Sequence, residues 1–244
     1  MKKSAIILYG PPGSGKGTQA NLLAGKLNLI HFDSGKFLEA VVHDPLRQKE
    51  KFIQKERELF DTGKLLTPSF VFKEAARAVT KIAKGGLGVV FSGAPRTVYE
   101  AKGLMPILER LYGKKNIFVF EFKLPPNHSV KRNSTRMICR SCGYMLLNAY
   151  YPKVRAKHCP VCGGNFYKRT LDNPKVIKVR LKEYKERTMP AFTLLRKMGY
   201  KIHAIDAKMA PYKVLHKVVS NIFLSEKKKG FIAPDSINFY QFLF

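Results

Sequence analysis

The sequence predicts an α/β fold with a central parallel sheet flanked by helices, and three observations predict it. Short apolar runs with few charges alternate with stretches of helical periodicity. A glycine-rich loop, Gly10-Pro11-Pro12-Gly13-Ser14-Gly15-Lys16-Gly17-Thr18, lies between the first apolar run and the first helical stretch. Two segments, 34–68 and 132–170, interrupt the alternation and read as inserts over the strand ends. With 244 residues and 45% hydrophobic content, the chain can bury a full core as one domain carrying such inserts.

The expected strands are Ala5–Tyr9, Leu29–Phe32, Gly88–Phe91, Ile117–Phe122 and Lys201–Ile205. Helical patterns fall at Thr18–Leu27, Ser69–Lys84, Val98–Leu111 and Pro174–Met198. Open parallel sheets gather ligands at the C-terminal ends of their strands. The glycine-rich loop falls at the first of these ends and Ser92-Gly93-Ala94-Pro95-Arg96 at the third. Segment 34–68 is helical and charged, and segment 132–170 carries all four cysteines. From Ser225 the tail has a lysine run and then Phe231, Phe239, Tyr240, Phe242 and Phe244. It reads equally as a segment docked on the body or one that contacts a partner.

Strand, glycine-rich loop and helix in that order are the context of a phosphate-binding loop. Glycines let the backbone N–H groups turn inward as an anion nest at a helix N-terminus. Gly13, Ser14, Gly15 and Gly17 would line that nest, with Lys16 reaching the β- and γ-phosphates. The hydroxyl sits at Thr18, one place later than in the usual pattern, because Gly17 intervenes. The loop points to a nucleoside triphosphate without naming the reaction.

The formal net charge is +28, and residues 122–171 contain ten Lys or Arg and no acid. Such a surplus attracts polyanions in general, whether nucleotide phosphates, RNA or anionic lipid. No apolar run approaches the roughly 20 residues that span a bilayer. Lys2-Lys3 precedes an apolar stretch too short for a secretion signal, so a cytoplasmic protein without membrane association is expected.

Cys139-x-x-Cys142 is separated by sixteen residues from Cys159-x-x-Cys162. Paired knuckles at this distance are a signature of a tetrahedral four-cysteine zinc site. Gly143 and Gly163-Gly164 follow the knuckles, as tight turns around a metal require. Disulfides or four free thiols are the competing readings, and a cytosolic setting disfavours the first. With no open coordination position, the Zn²⁺ would be structural.

Together these motifs resemble the adenylate kinase family. The loop from Gly10 to Ala20 is similar to that family's phosphate loop, and Gly93-x-Pro95-Arg96-Thr97 to its D-G-F-P-R-T segment. Arg132-x-x-x-Arg136, the knuckles, Arg169 and Arg180-Leu181-x-x-Tyr184 resemble its zinc-bearing lid and the helix that follows. Gly63-Lys64-Leu65-Leu66 resembles the end of its monophosphate-binding insert. The match runs from about residue 4 to 222. It implies a P-loop core (1–33, 69–131, 171–224), an acceptor insert (34–68), a zinc lid (132–170) and a tail (225–244). It also implies a monomer that moves the γ-phosphoryl of MgATP to AMP, giving two ADP.

By the same resemblance Lys16 and the loop hold the donor phosphates, Thr18 meets Mg²⁺ and Arg132 stacks on the ATP adenine. Arg136, Arg169 and Arg180 neutralise the transferring group, since phosphoryl transfer is mostly positioning and electrostatics. Arg96 holds the acceptor phosphate, with Ser34, Gly35, Leu65 and Glu100 around the acceptor. Taken singly, each arginine reads as a solvated surface charge.

Four positions depart from the family pattern. Its S-T-G-D-x-x-R stretch stands here as Asp33-Ser34-Gly35-Lys36-Phe37-Leu38-Glu39. Lys36 and Ser92 replace two aspartates of the family's Mg²⁺ water shell, and Glu39 replaces an arginine on the AMP phosphate. A carboxylate facing a phosphate at about 4 Å costs on the order of 4 kcal/mol at an effective dielectric of about 20. Rearrangement around Glu39 is therefore expected. Glu100 stands where the family has a glutamine on the acceptor adenine. An ionised glutamate only accepts, which suits a base with adjacent donors and turns the expectation toward GMP or CMP. The competing reading makes Glu100 a surface helix residue. These departures keep a second function in view, an ATP-binding protein of weak or no turnover whose basic surface engages nucleic acid or ribonucleoprotein.

Overall fold

The computed structural model describes residues 3–146 and 156–227. The tail was read from Ser225, but residues 225–227 continue the last helix, and the rest of the tail lies outside the described residues. In chain order the first elements are β1 (Ala5–Tyr9), α1 (Lys16–Leu27), β2 (Leu29–Phe32), α2 (Ser34–Val42) and α3 (Lys51–Asp61). Next come α4 (Pro68–Lys84), β3 (Gly88–Phe91), α5 (Val98–Tyr112), β4 (Ile117–Lys123) and α6 (Pro126–Ser134). Short strands β5 (Met137–Cys139), β6 (Met145–Leu146) and β7 (Phe166–Tyr167) precede α7 (Pro174–Glu183) and α8 (Met189–Lys197). The described chain closes with β8 (Ile202–Asp206) and α9 (Pro211–Lys227).

The main sheet is parallel throughout, in the order β2-β3-β1-β4-β8. Its central strands are buried on both faces, which is why they read as continuous apolar runs rather than alternating ones. Period-two geometry still divides them. Ala5, Ile7 and Tyr9 pack with Val79 of α4, Leu104 and Leu108 of α5 and Phe192 of α8. Ile6 and Leu8 face the opposite layer, with Ala20 and Leu23 of α1 and Val214 and Val218 of α9. A smaller core of Leu38, Val42, Phe60, Leu66, Val71 and Leu171 ties α2 and α3 to the start of α4.

The first three strands match the expected bounds, β4 runs one residue further, and β8 begins and ends one residue later. The expected helix Pro174–Met198 is instead two helices joined by a π turn at Tyr184–Thr188, where the Met189 N–H reaches the Tyr184 carbonyl. Pro190 gives the reason, because it has no N–H to return to Glu186 and α-helical bonding cannot run through it. The cysteine segment folds as a separate antiparallel sheet, β6-β5-β7. Among the described residues no helix is long and apolar enough to cross a membrane.

Candidate active site

The phosphate loop turns from the end of β1 into α1 through Gly10, Gly13 and Gly15, all at positive φ. Gly10 has a steric reason as well, since a Cβ there would stand 2.8 Å from the Phe122 carbonyl oxygen. Lys16 curls back over the loop, its Nζ donating to the carbonyls of Gly10 (2.7 Å) and Pro11 (3.0 Å). Burial and the charges of Arg96, Arg180 and Arg136 push its pKa well down. From α6, the Ser129 hydroxyl donates to the Pro12 carbonyl at 2.6 Å and fixes the outer side of the loop.

One cavity over the C-terminal strand ends is lined by Lys16, Arg96, Arg136, Arg169 and Arg180, which come from four separate parts of the chain. Gly13, Ser14, Gly15, Gly17 and Thr18 line it, as do Arg132, Gly35, Leu65 and Glu100. Ser34 is not on the wall. Its hydroxyl is buried without a partner among the described residues, and it approaches Gly93, where a Cβ would lie 2.5 Å from both Ser34 Oγ and Arg96 Nη2.

Arg136, Arg132, Arg180 and Arg169 are each aimed by a partner. Arg136 makes a two-pronged pair with the buried Asp172, at 3.0 and 2.5 Å. Arg132 donates to the carbonyls of Ala207 (2.7 Å) and Lys208 (3.2 Å) just past β8. Arg180 donates to the Leu171 carbonyl at 3.4 Å. Burial and the neighbouring charges of Arg169, Arg96 and Arg136 lower its pKa to about 9, which leaves it protonated at neutral pH. Arg96 is lowered too, first by burial. So many incompletely compensated cations in one cavity make a site for a polyanion.

The four departures take definite places. Glu39 is absent from the cavity wall and pairs with Arg169 at 3.1 Å, which is the expected rearrangement. Lys36 lines the cavity, with its Nζ 3.6 Å from where a Cβ on Gly143 would stand. Ser92 Oγ lies 2.7 Å from His31 Nε2. Glu100 is a buried cavity residue rather than a surface one, 2% exposed. Its carboxylate accepts from the Arg96 N–H (2.8 Å) and the Thr97 hydroxyl (2.9 Å), while its N–H donates to Thr97 Oγ1 (3.2 Å), a variant of the capping box at the start of α5. Burial raises its pKa.

The four cysteine sulfurs lie within 4.8 Å of one another, with contacts of 3.5 Å (Cys139–Cys162) and 3.6 Å (Cys142–Cys159). A tetrahedral zinc with Zn–S of about 2.3 Å requires sulfurs about 3.8 Å apart, so the cluster fits. The two knuckles repeat one geometry: the Gly143 N–H donates to the Cys139 carbonyl, and the Gly163 N–H to the Cys159 carbonyl. Both glycines have φ near +70°, at +72° and +71°.

Sequence reasoning missed the residues that aim the site. Ser129 carried no signal. Glu183, whose Oε2 accepts from the Leu65 N–H at 3.0 Å, carried none either. Asp172 carried one, as the first acid after the acid-free stretch 122–171 and hence the nearest counter-charge to its arginines.

The family sequence model described as adenylate kinase matches residues 8–200. An adenylate kinase of Thermosipho melanesiensis is 32% identical over 222 residues, covering 89% of this chain and 98% of the relative. One from Thermosipho africanus is 34% identical over 223 residues, with the same coverage of 89% and 98%. An adenylate kinase of Methanothrix thermoacetophila is 34% identical over 197 residues, covering 80% of this chain and 87% of the relative.

Proposed function

The chain belongs to the adenylate kinase family, a family of nucleoside monophosphate kinases, and from that premise we propose that it moves the γ-phosphoryl of MgATP to AMP, giving two ADP. The convergence of Lys16, Arg96, Arg136, Arg169 and Arg180 on one cavity carries this reading. Charge spreads over the equatorial oxygens of the transferring group, and preorganised cations stabilise it without reorganising. Lys16 and the loop amides hold the donor phosphates, and Arg132, fixed by carbonyls, presents its face to the adenine. Arg96 takes the acceptor phosphate beside Gly35, with Ser34 behind it and Leu65 and Glu100 near the base. Arg136, Arg169 and Arg180 neutralise the group in transfer between the two.

The Thr18 hydroxyl on the cavity wall suits Mg²⁺, which when bound with ATP supplies charge neutralisation across its phosphates. Residues 132–170 act as a lid whose zinc, held by Cys139, Cys142, Cys159 and Cys162, is structural. The lid and the insert 34–68 close together to exclude water, a motion served by the Glu39–Arg169 pair. The protein works as a monomer in the cytoplasm.

Two alternatives have an observation behind them. Glu100, buried in the cavity wall and acceptor-only when ionised, favours the adjacent N1–H and 2-amino donors of GMP over AMP, with CMP as the other non-AMP acceptor to be tested. The net charge of +28 favours an ATP-binding protein that engages nucleic acid with little turnover. A coupled assay of ADP formation from MgATP with AMP, GMP, CMP and UMP, run beside Lys16→Ala, separates them. The proposal expects AMP to give the highest kcat/KM, a GMP or CMP maximum transfers it to the first alternative, and no ADP above the Lys16→Ala control ends the kinase reading.

A further inference from the structure

Three carboxylates line the cavity among the described residues: Asp33, Glu100 and Glu183. Glu100 is committed with both oxygens, and Glu183, whose Oε2 serves the Leu65 N–H and Arg187, stands by Leu65 rather than beside the phosphate loop. Asp33 caps α2 through Oδ1 alone, accepting from the N–H groups of Gly35 (3.0 Å) and Lys36 (3.2 Å). Its second oxygen is left for a ligand.

The surroundings of Asp33 form a continuous polar wall beside the phosphate loop. Phe32 and Phe91 pair in register across β2 and β3, so Asp33 and Ser92 leave neighbouring strand ends side by side. Ser92 Oγ contacts His31 Nε2, and His31 Nδ1 lies 2.6 Å from Asn21 Oδ1. Asn21 stands three residues after Thr18 on α1, on the same helix face. Thr18, Asn21, His31, Ser92 and Asp33 all line the cavity. The wall thus offers neutral oxygens and one carboxylate, next to the hydroxyl expected to meet Mg²⁺. A hard cation that keeps several of its waters needs that chemistry. The negative charge of Asp33 also reaches Lys16 and Arg96, where it opposes the arginines.

We propose that Asp33 is the carboxylate that positions the hydrated Mg²⁺ of MgATP, with Ser92 as its neutral neighbour. This rests on the ATP-dependent reading above and adds a positioning residue to it. Outer-shell partners of this kind change metal affinity by about 10- to 100-fold when removed.

The test is calorimetric binding of ATP with Mg²⁺ and with a chelator, in wild type, Asp33→Asn and Asp33→Asn/Ser92→Asp. Asparagine keeps Oδ1 and can still cap α2, so the melting temperature of Asp33→Asn should stay near wild type. The proposal expects Asp33→Asn to keep or slightly improve Mg²⁺-free ATP affinity while losing about tenfold or more of the tightening that Mg²⁺ gives. Ser92→Asp should restore that tightening from the adjacent strand end. An undiminished Mg²⁺ effect in Asp33→Asn overturns the proposal, as does failure of Ser92→Asp to restore it. Absence of ATP binding by wild type under both conditions would instead overturn the reading on which it rests.

Discussion

At the donor end of the cavity, one continuous stretch supplies nearly everything: Gly10 to Thr18 makes the nest, and Lys16 is held by carbonyls six and five residues back. At the acceptor end the groups come from separated segments, around Ser34, Leu65, Arg96 and Glu183, and the acids there are taken up by distant or local partners. Glu39 is bound by Arg169, 130 residues away, and Glu100 closes the cap of α5. A site made by local backbone geometry tolerates little change, because Gly10 and Gly13 combine positive φ with no room for a Cβ. A site assembled from long-range pairs can exchange partners and stay folded, and the four departures lie on that side or at the wall proposed for Mg²⁺.

The largest effect should follow a break at the donor end. Lys16→Ala should lower ADP formation by about 100- to 1000-fold, the scale for removing one preorganised donor to developing charge. Steady-state kinetics read this directly, and a loss under tenfold would remove the contrast between the two ends. Next is the cysteine segment proposed to close over both. Stripping zinc with a chelator should expose the amides of the cysteine segment to hydrogen exchange while the main sheet stays protected, because a structural zinc is folding free energy for its own module. Uniform loss of protection would mean that the segment and core fold as one unit.

Smaller effects belong to the acceptor end. Glu39→Gln frees Arg169 and removes a negative charge beside the acceptor insert. The pair is partly exposed, with Glu39 39% accessible, so monophosphate affinity should tighten by about fivefold at most, with ATP affinity unchanged. Calorimetry with each nucleotide tests both halves. Glu100→Gln should be the mildest for stability, within about 1 kcal/mol, because glutamine also completes a capping box. Burial raises the Glu100 pKa above its ordinary 4.5, so folded protein holds the proton after unfolded chain has lost it. Wild type should therefore lose stability relative to Glu100→Gln as pH rises from about 4.5 through the raised folded-state pKa. If Glu100 also faces the base, the variant should shift preference toward AMP, whereas a purely structural cap would move stability alone.

The same contrast governs what the sequence could reveal. β1 and β3 were legible to the residue because strands buried on both faces leave unbroken apolar runs, and the edge strand β2 because Leu29, Ile30 and Phe32 still make a short, largely apolar run. The phosphate loop and cysteine knuckles were legible because spacing alone builds them. The break at Tyr184 was not, since helical periodicity continues across it and only Pro190 hints at the change. Nor were Glu183 and Ser129, whose roles depend on residues 118 and 117 positions away, while Asp172 was hinted at only by the acid-free stretch before it. Glu39 lay between these cases, because electrostatics required it to find a partner but did not say that Arg169 would be the one.

The most direct measurement follows the phosphoryl group itself. ATP labelled at the γ-phosphate is incubated with Mg²⁺, AMP and the full-length protein, and the label is traced among products. Transfer inside a closed, water-excluding cavity predicts that the label appears in the β-position of ADP, one for each AMP consumed, with Lys16→Ala transferring almost none. Label released as inorganic phosphate, or label that stays in ATP while the protein binds it, would contradict the phosphotransferase reading.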